Sequence, residues 1–108
     1  MTEKFQARQG DVFVFRVETL PKERKEVQRE NGLVILALGE ATGHHHSIAD
    51  IGVEMFETAN TVDRWLRIGE AGATLAHQEH AAINLPQGDY IVRIQREYNP
   101  EMTRQVTD

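Results

Sequence analysis

Short apolar runs separated by turn-forming residues occupy most of the chain. The clearest runs span residues 12–18, 33–38, 53–57, 62–68 and 90–98, and Gly, Pro, Asn or Asp lies next to each of them. They are rich in the β-branched and aromatic residues that strands favour. No segment carries a convincing apolar stripe at helical spacing. The pattern predicts an all-β fold: one small domain of residues 1–108, a β-barrel or β-sandwich, with polar arms at residues 1–8 and 100–108.

The first run is apolar on both faces of the expected strand. Phe13, Phe15 and Val17 share one face, and Val12 and Val14 share the other, because side chains alternate along a strand. We expect the face with the two phenylalanines to be the buried one.

Residues 22–30 are almost wholly charged and follow Pro21. They could form a two-turn helix or a polar edge strand that leads into a hairpin turn at Asn31-Gly32. The Asn-Gly pair favours the second interpretation, since it is the strongest two-residue signal for such a turn. Residues 33–38 are continuously apolar, which predicts a strand covered on both faces.

Composition and charge narrow the functional classes. The chain has 108 residues, no cysteine, 12 Lys and Arg against 17 Asp and Glu, and a formal net charge of −5. The negative charge argues against extended nucleic-acid binding. No apolar run approaches the ~20 residues that cross a bilayer, and the amino terminus has no pattern of a secretory signal. We expect a cytoplasmic protein without thiolate chemistry or membrane contact.

All five histidines lie in two short segments, residues 44–46 and 77–80. In an extended chain His44 and His46 leave the same face of a sheet. His77 and His80 are three residues apart, so they converge only if the backbone turns between them. Histidines also occur on solvated loops or bond to a carbonyl at a strand end, but their concentration here indicates metal or catalytic use.

The candidate site follows from these residue types. His44, His46, His77 and His80 are the expected metal ligands, and an all-nitrogen set favours Zn, Fe, Mn or Ni over Ca or Mg. Glu79 and His80 are the candidate catalytic groups. Glu40 is expected to orient an imidazole N–H, and Arg93 and Arg96 are the candidate groups for binding an anionic substrate, although surface charge is an equally simple role for them.

Four stretches resemble a family of small uncharacterised bacterial and phage proteins. They are Gln9-Gly10-Asp11, the GEATGHHH run of residues 39–46, the HQEHAAINLPQGDY run of residues 77–90, and the QREY run of residues 95–98. The likeness covers nearly the whole chain. It implies that His44, His46, His77, Glu79 and His80 belong to the family pattern and that His45 is a variable position.

A looser likeness is to cupins. Gly39 with His44 and His46, and later Pro86 with Gly88, are similar to the two cupin motifs. The next glutamate after the histidines is distant, at Glu54, and Ile91 stands where the second motif has a histidine. A cupin-like barrel would therefore need a rearranged ligand set.

These observations give three hypotheses. The first is a metal-dependent hydrolase or lyase that acts on a small, phosphate-containing anion. The second is a non-enzymatic bacterial or phage binding module with a structural metal. The third is a metal-independent phosphodiesterase or nuclease in which histidines act as general acid and base. For each, edge strands make a homo-oligomer the expected state.

Overall fold

The computed structural model describes residues 6–38 and 44–94. Within these ranges the chain forms ten strands and no helix. They are β1 Gln6–Gln9, β2 Val12–Val17, β3 Lys25–Val27, β4 Val34–Leu38, β5 His45–Ile48, β6 Val53–Thr58, β7 Thr61–Ile68, β8 Ala73–Ala76, β9 Ile83–Leu85 and β10 Gly88–Ile94.

The strands build two antiparallel sheets. One has six strands in the order β1-β2-β10-β7-β6-β3, and the other has four in the order β4-β5-β8-β9. The expected all-β fold is confirmed. Of the two expected architectures the structure is the sandwich-like one, since the pairing of the described strands closes neither sheet into a barrel.

One apolar core lies between the sheets. The six-stranded sheet contributes Val12, Val14, Val53, Met55, Leu66, Ile68, Tyr90 and Val92, and the four-stranded sheet contributes Val34, Leu36, Ile48, Ala73, Leu75 and Leu85. The two core residues of β2, of β7 and of β10 are spaced two apart, as the alternation of side chains along a strand requires. Each fully buried aliphatic side chain contributes about 1.5–3 kcal/mol to folding.

The buried face of β2 is the opposite of the expected one. Val12 and Val14 are fully buried, whereas Phe13, Phe15 and Val17 are only half-buried. Both faces of β2 are apolar, so local alternation could not tell which one meets the other sheet. The strand pairing decides it, because Val12 and Val14 lie opposite Ile94 and Val92 of β10.

A second apolar row crosses the outer face of the six-stranded sheet. Phe15 pairs with Ile91, Ile91 with Trp65, and Trp65 with Phe56 in register. The Phe13 and Phe15 rings stack at 6.2 Å, and the Arg24 guanidinium lies 4.9 Å from the Phe56 ring centroid. The outer face is therefore stabilised by aromatic contacts of its own.

The charged segment forms an edge strand, as its polarity predicts. β3 is the last strand of the six-stranded sheet and pairs with β6 alone. Asn31 and Gly32 form the expected turn, with φ of 53° and 79°, and a bridge joins Glu30 to Leu33. The hairpin does not extend beyond this bridge, because β3 and β4 belong to different sheets.

Strand β4 is less covered than its continuous apolar sequence predicts. Val34 and Leu36 are buried, but Leu38 is 77% exposed. Leu38 is the last residue of this edge strand, beyond the buried Val34 and Leu36.

Residues 6–8 of the expected amino-terminal polar arm belong to a strand. Gln6–Gln9 form β1, which pairs with β2 and so adds an edge strand to the six-stranded sheet. The expected polar arm at residues 100–108 and the end of the predicted strand at residues 95–98 lie outside the described residues. The described ranges contain no helix long and apolar enough to cross a membrane.

Candidate functional site

Strand pairing brings the two histidine segments together. β5 pairs with β8, with Ser47 opposite Ala76 and Ile48 opposite Leu75. Because the two strands are antiparallel, the chain enters β5 where it leaves β8. Residues 44–46 and 77–80 therefore meet at one end of the sandwich.

The imidazole rings form one cluster around His77. Its ring centroid lies 4.3 Å from that of His46, 4.7 Å from that of His80 and 5.6 Å from that of His44. The His46 and His80 rings lie 6.0 Å apart and are nearly parallel, at 17°. The fold thus places the rings of His44, His46, His77 and His80 next to one another.

Gln9 fixes the protonation pattern of His46. The side-chain nitrogen of Gln9 donates to the carbonyl oxygens of Leu75 and Ala81, at 3.0 and 2.9 Å. Its oxygen is thereby turned to His46 Nδ1, 2.8 Å away. Since an amide oxygen only accepts, neutral His46 carries its proton on Nδ1 and keeps a free lone pair on Nε2.

The side chain of His77 holds the turn that follows β8. Its Nδ1 accepts the backbone N–H of Glu79 at 3.0 Å and that of His80 at 3.2 Å. Backbone amides only donate, so neutral His77 carries its proton on Nε2. This is the tautomer opposite to that of His46. The turn brings His80 back to the cluster, as the three-residue spacing requires.

His44 and Glu79 form a contact across the two segments. The distance from His44 Nδ1 to Glu79 Oε1 is 3.4 Å, and their side chains are 26% and 69% exposed. The carboxylate favours a proton on Nδ1 of His44, which leaves Nε2 of this ring available as well.

His45 belongs to a separate network. Gln78 accepts the backbone N–H of His45 through its side-chain oxygen at 2.9 Å, and its nitrogen lies 3.2 Å from His45 Nε2. Gln78 therefore donates to Nε2, and the other nitrogen, Nδ1, donates to Ser47 Oγ at 2.9 Å. Because the Ser47 oxygen accepts here, His45 does not prepare it as a nucleophile. Its role is to tie the two segments together.

The electrostatics keep the inner rings neutral. Burial, with smaller contributions from His77 and His80, lowers the pKa of His46 from its ordinary value of 6.5 to about 4. Burial followed by the neighbouring His80 and His44 also lowers the pKa of His77. A neutral imidazole is the form that binds a metal ion.

Gly10 sets the close approach of β1 to the cluster. Its φ is +58°, and a Cβ atom built on it would lie 2.7 Å from Nε2 of His80 and 3.4 Å from Cε1 of His46. Contacts below 3.0 Å do not occur for real Cβ atoms. The turn between β1 and β2 therefore has room for glycine only while His80 keeps its position.

Of the expected outer residues of the site, the structure describes Arg93 alone. Arg93 lies on the face of β10 opposite to the buried Val92 and pairs with Asp63 at 3.4 Å. Its side chain is 60% exposed and directed away from the core. Glu40 and Arg96 lie outside the described residues. Substrate binding by the two arginines and orientation by Glu40 stay predictions.

The histidine side chains are not arranged as they would be around a bound metal ion. Among residues 6–38 and 44–94, no three His, Asp or Glu side chains gather their ligand atoms at a common point. The rings are adjacent, but His77 turns Nδ1 to the backbone. Metal binding stays a prediction that needs side-chain rotation.

Sequence reasoning missed Gln9, Gln78 and Ser47 as parts of this site. Gln9 reaches the cluster over 37 residues of sequence, so no local pattern marks it. A signal did exist, because Gln9 belongs to the Gln9-Gly10-Asp11 stretch in the family resemblance. Gln78 lies inside the second histidine segment, but its contact with His45 depends on the β5–β8 pairing.

A family model described as a domain of unknown function, DUF8820, matches residues 8–95. The chain belongs to this family. The matched range includes both histidine segments, Gln9 and Gly10, so the DUF8820 match spans the whole described site. DUF8820 is an uncharacterised family and therefore adds no activity to the geometry. The comparisons with curated proteins and with solved structures found no match.

Proposed function

We propose that the protein binds a divalent transition metal ion through Nε2 of His44, His46 and His80. The observation that carries this proposal is the contact of Gln9 with Nδ1 of His46. Metal-binding histidines almost always donate their other N–H to an oxygen, which fixes the tautomer and the ring orientation. The Glu79 carboxylate makes the corresponding contact with Nδ1 of His44.

The ring spacing supports a shared ion after small rotations. Two imidazoles on one tetrahedral ion, each at about 2.1 Å, have centroids roughly 5 Å apart. The centroids of His46 and His80 are 6.0 Å apart. The proposal requires side-chain rotation that brings the three Nε2 atoms to one point, and the side chain of His80 is exposed.

The ligand set defines the metals and the chemistry. Three neutral nitrogens suit Zn, Fe, Mn or Ni. A three-histidine set leaves a fourth position open, where the ion lowers the pKa of water or polarises an oxygen. We propose hydrolysis or elimination of a small phosphate-containing anion in the cytoplasm as the reaction, with Glu79 as the base. The resemblance of His44 and His46 to the first cupin motif supports a metal role for this pair.

A specific observation favours a second, non-enzymatic function. Three surface hollows of the described structure are lined without any histidine, and Glu79 and His80 are exposed. A site open to solvent suits a binding module with a structural metal, in a homo-oligomer that joins subunits through it. In the metal-independent phosphodiesterase, a pKa of about 4 makes His46 a poor general acid or base near neutral pH, so His80 and Glu79 would have to transfer the protons.

Metal analysis of untagged protein tests the proposal. We expect about one equivalent of metal in protein that has been dialysed against Zn²⁺ and then against buffer. His46→Ala and His44→Ala should lose it, and His45→Ala should retain it, because His45 bonds to Ser47 and Gln78 instead. Wild-type protein without metal, or equal loss in all three variants, would contradict the proposal.

Activity separates the enzyme from the binding module. Metal-loaded protein should hydrolyse a generic phosphate monoester, and Glu79→Gln should reduce that rate while keeping the metal. Full metal occupancy with no turnover on phosphate mono- and diesters would favour the binding module.

A further inference from the structure

His77 differs from His44 and His46 in the nitrogen that carries its proton. Its Nδ1 accepts two backbone N–H groups, from Glu79 and from His80. Backbone amides have no alternative orientation, unlike an Asn or Gln side chain, so this pattern assigns the proton of neutral His77 to Nε2. His44 and His46 present the opposite pattern, with Nδ1 next to an oxygen acceptor.

A protonated Nε2 cannot be a metal ligand. Coordination through Nε2 would move the proton to Nδ1, where it would point at the N–H groups of Glu79 and His80. Both hydrogen bonds would be lost and the turn that places His80 would open. His77 is therefore the one ring of the cluster whose ligation would dismantle the site.

We infer that His77 is a hydrogen-bond donor to a small anion at the open metal position and is not itself a ligand. This inference rests on the proposed function. The His77 ring contacts the rings of all three proposed ligands, at 4.3, 4.7 and 5.6 Å. Since Nδ1 is engaged by the backbone, the Nε2–H group is the polar group of this ring that remains for a ligand bound beside those rings.

The chemistry of this donor selects the class of ligand. A neutral N–H beside a divalent ion favours a ligand with a compact negative oxygen or nitrogen, such as hydroxide, a carboxylate, a phosphate oxygen or azide. A neutral imidazole donates this hydrogen bond without adding charge to the site. No proton is transferred on binding.

The test uses Co²⁺ as the metal and azide as the anion, and both are followed by the visible spectrum of the Co²⁺ protein. The decisive variant is His77→Asn. An Asn side chain accepts the backbone N–H two residues on, as in an Asx-turn, so it preserves the turn and removes the Nε2 donor. His46→Asn and His80→Asn are the matched controls, since they make the same substitution at proposed ligands.

We expect the Co²⁺ affinity of His77→Asn to lie within about threefold of that of wild type. The Co²⁺ affinity of His46→Asn and of His80→Asn should fall by at least a hundredfold. Azide affinity of the Co²⁺ protein should fall about tenfold in His77→Asn, the loss of one hydrogen bond to a charged group. His77→Ala also loses the hydrogen bonds that hold the turn, so its affinities for both Co²⁺ and azide should fall.

Two results would overturn the inference while leaving the proposed function standing. One is a loss of Co²⁺ in His77→Asn as large as that in His46→Asn, which would make His77 a ligand. The other is unchanged azide affinity in a folded, Co²⁺-loaded His77→Asn protein. If wild type binds no Co²⁺, the proposed function fails and the inference fails with it, even if the ¹⁵N spectrum of the histidine side chains shows the Nε2 proton of His77.

Discussion

At the scale of single residues, the site is defined by which nitrogen of each imidazole carries the proton. The contact with Gln9 places the proton of His46 on Nδ1, whereas the turn amides place the proton of His77 on Nε2. The types and spacing of the histidines follow from the sequence. The tautomers depend on hydrogen-bond partners that only the folded chain supplies.

Gln9 has two separable effects, and two substitutions distinguish them. Gln9→Leu leaves the carbonyls of Leu75 and Ala81 without their donor, so we expect a stability loss of about 2–4 kcal/mol in urea unfolding. It also frees His46 Nδ1, so metal affinity should fall roughly 10–100-fold. Gln9→Glu should lose similar stability but recover much of the affinity, because a carboxylate still accepts from Nδ1.

The control for Gln9 is Arg29, which also ties separate segments through backbone carbonyls, those of Gly32, Asp50 and Val53. Arg29→Leu should lower stability without changing metal affinity. If affinity follows stability in all three variants, Gln9 has a structural role alone.

The burial of neutral His46 makes the metal-free protein sensitive to acid. Its pKa is about 4 in the folded state against 6.5 in the unfolded chain, so the unfolded state binds the proton more readily. The resulting stability is fully present above pH 6.5 and is lost as the pH falls from there to about 4, by roughly 3 kcal/mol at most. Urea unfolding in EDTA across this range measures it.

A His46→Gln variant provides the comparison for this pH profile. It lacks the titrating group, so its stability should change less between pH 6.5 and 4 than that of wild type. Parallel profiles for the two proteins would show that the acid sensitivity arises elsewhere.

At the scale of elements, the β1–β2 turn shapes the histidine cluster. Gly10 has φ of +58° and leaves no space for a Cβ atom beside His80. Gly10→Ala therefore carries a backbone cost of about 1–2 kcal/mol and also displaces the His80 ring. We expect lower stability and weaker metal binding, measured by thermal unfolding and Co²⁺ titration.

Gly32 is a matched control for the same substitution. Its φ is +79°, and nothing lies within 4 Å of its added Cβ. Gly32→Ala should carry the backbone cost without any effect on Co²⁺ affinity. Equal affinities for the Gly10 and Gly32 variants would show that the close approach of Gly10 has no influence on His80.

At the scale of the whole molecule, a metal ion would link the two sheets. His46 lies in β5 of the four-stranded sheet and His44 directly precedes that strand, whereas Gln9, which orients His46, is the last residue of β1 in the six-stranded sheet. An ion that binds only the folded state stabilises it by mass action, by about 2.7 kcal/mol at a free concentration a hundredfold above Kd.

Zn²⁺ should therefore raise the Tm of EDTA-treated protein by roughly 10 °C at that concentration. Ca²⁺ and Mg²⁺ should give no increase, because their oxygen preference does not match imidazole ligands. Differential scanning calorimetry measures the shift, and His46→Ala should abolish it. An equal rise with Ca²⁺ would point to acidic surface groups in place of the histidines.

The sequence by itself determined the fold class, most strand positions, the Asn31-Gly32 turn and the edge position of the charged segment. These are local properties, because side-chain alternation and turn chemistry act over a few residues. It also indicated that the four histidines could converge, from the two-residue spacing of His44 and His46 and a turn between His77 and His80.

The tertiary structure decided what depends on long-range partners. It placed Val12 and Val14 in the core in place of Phe13 and Phe15, because both faces of β2 are apolar and the register with β10 selects one. It paired β3 with β6 and β5 with β8, and it brought the side chain of Gln9 into contact with that of His46. The physical reason is that hydrogen bonds across tens of residues leave no periodic signal in the chain that forms them.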